Sequence, residues 1–383
     1  MTRFGRHDDK NLMDLLVESS LSALDDCDAY NDSVDAVYVS SMLAGELTHQ
    51  SAIASALTDQ LGLLPAAAER IENGPASGGS AIKNGFLAVA SGLYDLVLVT
   101  GGEKMRHVPG DRITDLIATM THPSGEYING VTLPSLAAMF TRLYMTKYGV
   151  TSEHLAKVAV KNHTHASMNP RAHIRTKVTL EGILLSKEAK VNNPVIAEPL
   201  RLYDLCPISD GAASVVLCPY EKVKKFAKEP IKVIGIGQAT DTLAVHERRE
   251  PTTLNSVKLA ASKAFNMAKL EPEDIDVAEL HDAFTILEIA ESEDAGFFQK
   301  GKGHLALEKG ETTLGGKLPI NTSGGLKARG HPVGATGVSQ VVELVWQLRG
   351  EAEDRQVQGA QKAFCCNFGG FGNNVTAFVL SKE

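Results

Sequence analysis

Apolar positions fall into two alternating rhythms along this chain. Leu12–Leu24 repeats at helical spacing, as do Ile82–Ala90, Val257–Ala268 and Ala283–Glu291. Between them lie short runs without that repeat. Val34–Val39 is β-branched, and Asp95–Thr100 (DLVLVT) is apolar enough for a strand covered on both faces. Ala212–Leu217, Ile231–Ile236 and Ile275–Leu280 are further strand candidates. The alternation predicts an α/β protein with helices packed on sheets. Between Lys104 and Pro199 it breaks down. That stretch is rich in His, Asn, Pro and Met, carries two helical patterns, Ser135–Tyr148 and Ser152–Met168, and reads as a large insertion over the sheet.

Three segments carry candidate chemistry. Asn321–Gly337 (NTSGGLKARGHPVGATG) is dense in glycine around a His-Pro pair and runs into a helical pattern, Val338–Leu348. Glycine at that density means tight turns or close approach to a ligand, and His331 stands where an imidazole could reach a substrate. Phe364–Asn374 (FCCNFGGFGNN) sets two cysteines before a glycine turn and a strand-like run, Val375–Leu380. Glu279–Phe284 (ELHDAF) closes an apolar run with a His-Asp pair and opens a helix. Each has a bland alternative. A loop histidine is more often a hydrogen-bond partner than a catalyst, and a free cysteine under a strand end is often inert.

In that order and spacing, the three segments resemble the thiolase family, more narrowly its sterol-carrier-protein-X and archaeal type. Residues 76–105, 160–173 and 209–217 sit where that family has similar text. The resemblance implies a thiolase fold: two related βαβαβαββ halves in a five-layered α-β-α-β-α arrangement. It places the N-terminal half over 1–230, with a loop domain inserted at about 104–199, and the C-terminal half over 231–383. It implies an acyl-CoA acyltransferase, with coenzyme A as substrate and no permanently bound cofactor. It further implies a homodimer core and, in this branch, association with a small zinc-ribbon/OB-fold protein. In the family, text like TRFG follows a first strand of about seven residues. Here Met1 stands directly before it. Either the natural start lies upstream, or the N-terminal half lacks that strand and leaves a sheet edge uncovered.

Thiolases make or break a C–C bond beside a thioester carbonyl. The chemistry needs a nucleophile, a base, an acid/base for the carbanion carbon, and donors for the thioester oxygens. On the resemblance, His331 is the base, suited by an ordinary pKa near working pH. Cys366 is the acid/base and the Phe368 N–H an oxyanion donor. His281 holds a water over the thioester oxygen. Cys365 points to the other side of its strand. Asp282 reads as a cap for the helix from Ala283. Ser323, Gly324 and Met139 are weak candidates for CoA contact, although core packing is the default for Met139 and Phe140. His163, His165 and His173 lack ligand spacing; a surface or CoA-lining role is preferred over a metal site, and no metal is expected.

The nucleophile position departs from the family. Its reactive cysteine lies two residues before a Ser-Gly at a helix start, and here that residue is Pro75, in Asn73–Gly78. Proline offers neither a nucleophile nor an N–H, though it suits a helix start. Ser77 and Ser80 lack a paired base. Three readings stay open. In the first, a β-ketoacyl-CoA is cleaved by CoA, or formed by Claisen condensation, with no acyl group on residue 75. In the second, the site performs retro-aldol cleavage of a β-hydroxyacyl-CoA. In the third, the chain is a non-catalytic acyl-CoA-binding scaffold. The first is the expectation.

Composition narrows this little. The chain has 383 residues, 43% of them hydrophobic, enough for two or three ordinary domains. A net charge of −8 argues against a nucleic-acid binder, and the basic run Lys222–Lys228 reads as a solvated helix face. Five cysteines form no paired framework, which fits a reducing compartment. No run approaches the ~20 apolar residues of a membrane helix. A soluble, cytoplasmic protein is expected.

Overall fold

The computed structural model describes residues 1–29, 34–185, 187–188, 190–225 and 229–382. The N-terminal part runs α1 (Leu12–Asp26), β1 (Ala36–Ser40), α2 (Ala44–Thr48), α3 (Ile53–Gln60), β2 (Ala67–Ile71), α4 (Ser77–Ala90) and β3 (Val97–Glu103). Four helices follow, α5 (Gly110–Ala118), α6 (Leu133–Tyr148), α7 (Ser152–Met168) and α8 (Leu180–Leu184). A small ladder of β4 (Val195–Ala197) and β5 (Leu200–Arg201) leads to β6 (Gly211–Leu217). The C-terminal part holds β7 (Lys232–Thr240), α9 (Asn255–Ala268), β8 (Val277–Glu279), α10 (Thr285–Asp294) and α11 (Gly303–Glu308). It ends with α12 (Gly325–Arg329), α13 (Thr336–Arg349), β9 (Lys362–Gly369) and β10 (Asn374–Ser381).

Two four-stranded sheets form, ordered β2-β1-β3-β6 and β7-β10-β9-β8. In each, a parallel section is closed by antiparallel strands: β6 on β3 in the first, β10 between β9 and β7 in the second. Helices α4 and α13 lie between the sheets and touch both. Helices α1 and α3 cover the outer face of the first sheet, and α9 that of the second. The result is the five-layered α-β-α-β-α order of the thiolase fold. One apolar cluster fills the middle, from Ala81 and Ile82 of α4 to Val338 and Val341 of α13. Strand β3 is buried throughout, as its unbroken apolar run requires.

Several boundaries move, each for a local reason. Strand β1 begins at Ala36, not Val34. Strand β7 continues to Thr240, past its predicted end, because Gly235 and Gly237 let α9 lie directly on it: a Cβ on Gly237 would stand 1.9 Å from Ala260 O. Helix α10 starts at Thr285 rather than Ala283, since Phe284 is drawn into an antiparallel bridge with Leu205. The basic run forms a 3₁₀ turn over Tyr220–Lys225 instead of an α-helix face; Lys228 lies outside the described residues.

The stretch between β3 and β6 does not interrupt their pairing, which runs Val97↔Leu217 to Glu103↔Gly211. Its helices stack outward from that junction. Helix α7, capped by Thr151 through a bond to the His154 N–H, rests on α10, α11 and α12. This brings the insertion against the glycine-rich segment and the His-Asp pair.

Candidate functional site

Helices α4 and α13 cross through glycine. A Cβ on Gly78 would stand 2.9 Å from both Gly337 N and Val338 N, and one on Gly337 would stand 2.3 Å from Gly79 N. Only hydrogen fits there, so the two helix N-termini and the turns leading into them are brought to one place. Into α13 comes the His331 loop. Into α4 comes the turn holding Pro75. Ala76 is the N-cap and Ser77 the first helical residue, so Pro75 stands before the helix rather than starting it. Its carbonyl accepts from Asn367 Nδ2 at 3.1 Å. Ser77 closes the turn onto Asn73 N and Gly74 O, and Ser80 Oγ accepts from Asn73 Nδ2. Both hydroxyls serve the turn.

The imidazoles of His281 and His331 meet edge to face, centroids 5.0 Å apart, and both residues are buried. Their partners dictate their tautomers. His331 Nδ1 lies 2.6 Å from Thr336 Oγ1, whose single hydrogen goes to Pro332 O at 3.0 Å. Thr336 therefore accepts, Nδ1 carries the proton, and Nε2 keeps a free lone pair. His281 Nδ1 faces two donors, Asn367 Nδ2 at 3.3 Å and the Phe368 N–H at 3.4 Å. It must accept, which leaves Nε2–H as a donor. Burial lowers the His331 pKa to about 3, and the Arg329 guanidinium adds to the shift. Burial holds His281 well below its ordinary value too, followed by the charges of His331 and Arg329. The site thus holds two neutral imidazoles of opposite sense, one able to take a proton and one able to give a hydrogen bond.

Cys366 lies on the face of β9 opposite Asn367. Its thiol packs in the outer cluster with Phe364 and Phe368, whereas Cys365 joins the central cluster. Burial raises the Cys366 pKa well above a free thiol's, helped by the neighbouring Glu291 carboxyl. It is a protonated thiol, not a thiolate. Among the described residues no hydrogen bond joins it to either histidine. The Phe368 ring stacks on His281 at 5.2 Å, and its N–H, the expected oxyanion donor, is directed to His281 Nδ1. Glu291 accepts from the His281 N–H at 2.9 Å through one oxygen, and its other oxygen is buried with no partner among the described residues.

Other sequence-derived candidates fall elsewhere. Asp282 does not cap its own helix; it accepts from Leu326 N at 2.6 Å and so caps α12. Met139 is 53% exposed, which corrects its assignment to a packed helix face. Ser323 is fully buried and donates to Glu279 Oε2 at 2.6 Å, inside an ion pair with Arg329. Gly324 (φ +101) abuts Ala166 so closely that its Cβ would stand 2.5 Å away. Both therefore shape the loop. His163 and His165 are buried, not at the surface, and bond to Thr176 O and Asn321 O; His173 bonds to Ser209 Oγ. Sequence reasoning missed Thr336, Asn367, Glu291 and Glu103. Glu103 is buried and accepts from Ser41 Oγ, Met42 N, Leu43 N and Gly334 N, tying the His331 loop to the first sheet. Only a carboxylate inside the apolar run of β3 hinted at this.

Two sheet-and-helix halves that share a central helix pair and enclose a histidine pair where those helices begin define a thiolase-type acyl-CoA protein. The family patterns described as "Thiolase, N-terminal domain" and "Thiolase C-terminal domain-like" match residues 1–221 and 237–382. The chain belongs to the thiolase family. It is 45% identical over 381 residues to an acetyl-CoA acetyltransferase of Methanothermobacter thermautotrophicus, covering 100% of this chain and 97% of the relative. It is 32% identical over 388 residues to human sterol carrier protein 2, covering 96% and 68%. Among solved structures it resembles the Ltp2-ChsH2(DUF35) aldolase, with a TM-score of 0.83, 25% identity and coverage of 99% and 95%. Among the described residues no helix is long and apolar enough to cross a membrane, and no group of three or more His, Cys, Asp or Glu could hold a metal ion.

Proposed function

We propose that this chain cleaves a β-ketoacyl-CoA with CoA, or condenses two acyl-CoA molecules in reverse, without an acyl group ever resting on residue 75. One observation carries the reading: the neutral His331 imidazole, with a free lone pair, meets the His281 ring, and Asn367 joins His281 to the turn whose residue 75 has no nucleophile. In the cleavage direction His331 Nε2 takes the proton of the CoA thiol, and the thiolate adds to the C3 carbonyl. The C2–C3 bond breaks with its electron pair going to C2, giving the enolate of acetyl-CoA. His281 Nε2–H donates to the thioester oxygen that gains charge. The Cys366 S–H protonates C2, and the proton on His331 restores the thiol. The products are two thioesters, and atoms and charge balance. A thiol whose pKa is pushed up fits the donor role, not that of a resting thiolate.

Retro-aldol cleavage of a β-hydroxyacyl-CoA is the second reading. It is favoured by Pro75 and by the likeness to a solved aldolase. His331 would take the hydroxyl proton, and an aldehyde or ketone would leave with acetyl-CoA. A silent acyl-CoA-binding scaffold is the third. Incubation with acetoacetyl-CoA and with a β-hydroxyacyl-CoA, each with and without CoA, separates them. Thiolysis requires CoA and yields acetyl-CoA. The aldolase reading needs CoA-independent release of a carbonyl compound. Tight binding without turnover leaves the scaffold. The likeness to a solved complex with a DUF35 protein supports a small partner protein, read from the family resemblance as a zinc-ribbon/OB-fold one; a homodimer and a cytoplasmic setting rest on the family resemblance and on the cysteine content, and light scattering, alone and with such a partner, tests both assemblies.

A further inference from the structure

The two imidazoles reach the site on different segments, and one carboxylate joins those segments. His281 follows β8, and His331 follows α12. The neighbour of the first, Asp282, accepts from Leu326 N at 2.6 Å and from Lys327 N at 3.3 Å, both at the start of α12. That helix ends at Arg329, two residues before His331. A Cβ on Gly325 would stand 2.2 Å from Asp282 Oδ2, so the carboxylate fills the place a side chain would take. The hold of Asp282 on α12 thus sets how the two histidine-bearing segments lie against each other.

A side chain from the insertion holds that carboxylate in turn. Asn162, fully buried on α7, donates through Nδ2 to Asp282 Oδ2 at 2.7 Å and to Glu288 Oε2 at 2.8 Å. Its carbonyl oxygen has no partner among the described residues, so the amide serves only as a donor. Among the described residues no other side chain bonds to both carboxylates. Glu288 is also held by Lys161 at 3.0 Å and by Asn321 Nδ2 at 2.7 Å, and Asn321 Oδ1 accepts from Leu280 N. For Asp282 the other bonds are the two amides of α12. Burial raises the Asp282 pKa, and the Glu288 charge adds to the rise. Losing a donor from such a pair favours a proton on one carboxylate, and a protonated oxygen no longer accepts as well.

We propose that Asn162 is a positioning residue, which through Asp282 keeps His281 and His331 at their working separation. The inference rests on the acyl-CoA reading above and adds that the insertion helps to align the imidazoles. Asn162 bonds to neither ring. Its effect reaches them through one bond to Asp282 and through the bonds of Asp282 to α12.

The test compares Asn162→Leu with the near-isosteric Asn162→Asp. If filling space were all that mattered, Asn162→Asp would be the milder change. The positioning role predicts the reverse at neutral pH. The introduced carboxyl has no hydrogen to give when ionised, and it faces Asp282 and Glu288. Around Asp282 stand Glu279, Glu288 and Glu291, the Cys206 thiol, and on the positive side Lys161 and Lys327. A carboxyl among like charges ionises at raised pH. Below its pKa it is protonated and donates to Asp282; above it the bond is lost. For Asn162→Asp, kcat for CoA-dependent cleavage of acetoacetyl-CoA should fall at least about tenfold at neutral pH, with KM unchanged, and recover as pH falls. For Asn162→Leu the loss should be smaller and should not recover. Hydrogen exchange at Leu326 and Lys327, taken relative to the parent at each pH, should follow the same course, and it needs no turnover. The proposal fails if both variants keep the parent kcat, if the loss falls on KM alone, or if these amides exchange as in the parent at every pH. Asn162→Leu, which adds no charge, decides the matter if Asn162→Asp does not fold. A parent that turns over no acyl-CoA overturns the enzymatic reading and this inference with it, whereas unchanged exchange in an active chain overturns this inference alone.

Discussion

The two turns that feed the central helices differ in what they present to the site. Both are delivered to one place by the same glycine contact between α4 and α13. The turn before α13 keeps an imidazole whose tautomer is held by Thr336 and whose loop is braced by Glu103. The turn before α4 is closed by hydrogen bonds through Ser77 and Asn367, yet presents Pro75, where the family resemblance leads a reactive cysteine to be expected. Architecture and nucleophile are therefore separable. The bonds that shape the Pro75 turn come from the backbone and from residues 73, 77 and 367, none of which needs a thiol at residue 75.

The comparison can be broken hardest at its chemical side. His331→Ala should lower kcat/KM for CoA-dependent cleavage by about 10³-fold, the usual scale for a lost general base, while circular dichroism and melting show an intact fold. An unchanged rate would remove His331 from the mechanism. Next comes the proton donor: Cys366→Ser should slow turnover by about 10²-fold, and solvent exchange into the acetyl methyl group should slow in parallel.

Thr336→Val tests the tautomer. Without an acceptor at Nδ1, the His331 proton is free to move to Nε2, and turnover should fall by roughly tenfold, within the range for loss of one hydrogen bond to a reacting group. Thr336→Ser should restore it. Nitrogen-15 shifts of the ring read the tautomer directly, whatever happens to the rate. Pro75→Cys sharpens the other side. A thiol at this helix entrance should accept an acetyl group from acetyl-CoA, visible as a covalent mass increase absent in the parent, because a helix N-terminus favours thiolate.

The smallest effect concerns pH. The folded pKa of His331, about 3, lies below the ordinary 6.5, and those of His163 and His165, about 4 and 3, do as well. Such groups bind fewer protons folded than unfolded, so stability is complete above about pH 6.5 and declines as pH falls toward 3. His165→Gln should flatten that decline in urea titrations between those limits. Activity should show no histidine titration near neutrality.

Legibility followed the reach of each interaction. Helix α1, strand β3 and helix α13 were readable because their apolar period is local. Strand β2 (AAERI) was missed: it lies at a sheet edge with no fully buried position and lacks an apolar signature. The cap role of Asp282 was misplaced because its partner is α12, some 40 residues away in sequence by its bond to Leu326. The histidines and Cys366 were findable as motif members, but nothing in their spacing told that the thiol faces Glu291 and the outer cluster while Asn367 faces the imidazole.

Sequence by itself determined the alternation of helices and strands, the family, and the absence of a nucleophile at residue 75, since each is written in local order and residue type. Tertiary structure alone decided which nitrogen of each histidine carries its proton, and which carboxylate braces the reactive loop. These depend on contacts between residues from Ser41 to Phe368 whose distances along the chain carry no periodic trace, and burial makes each contact count.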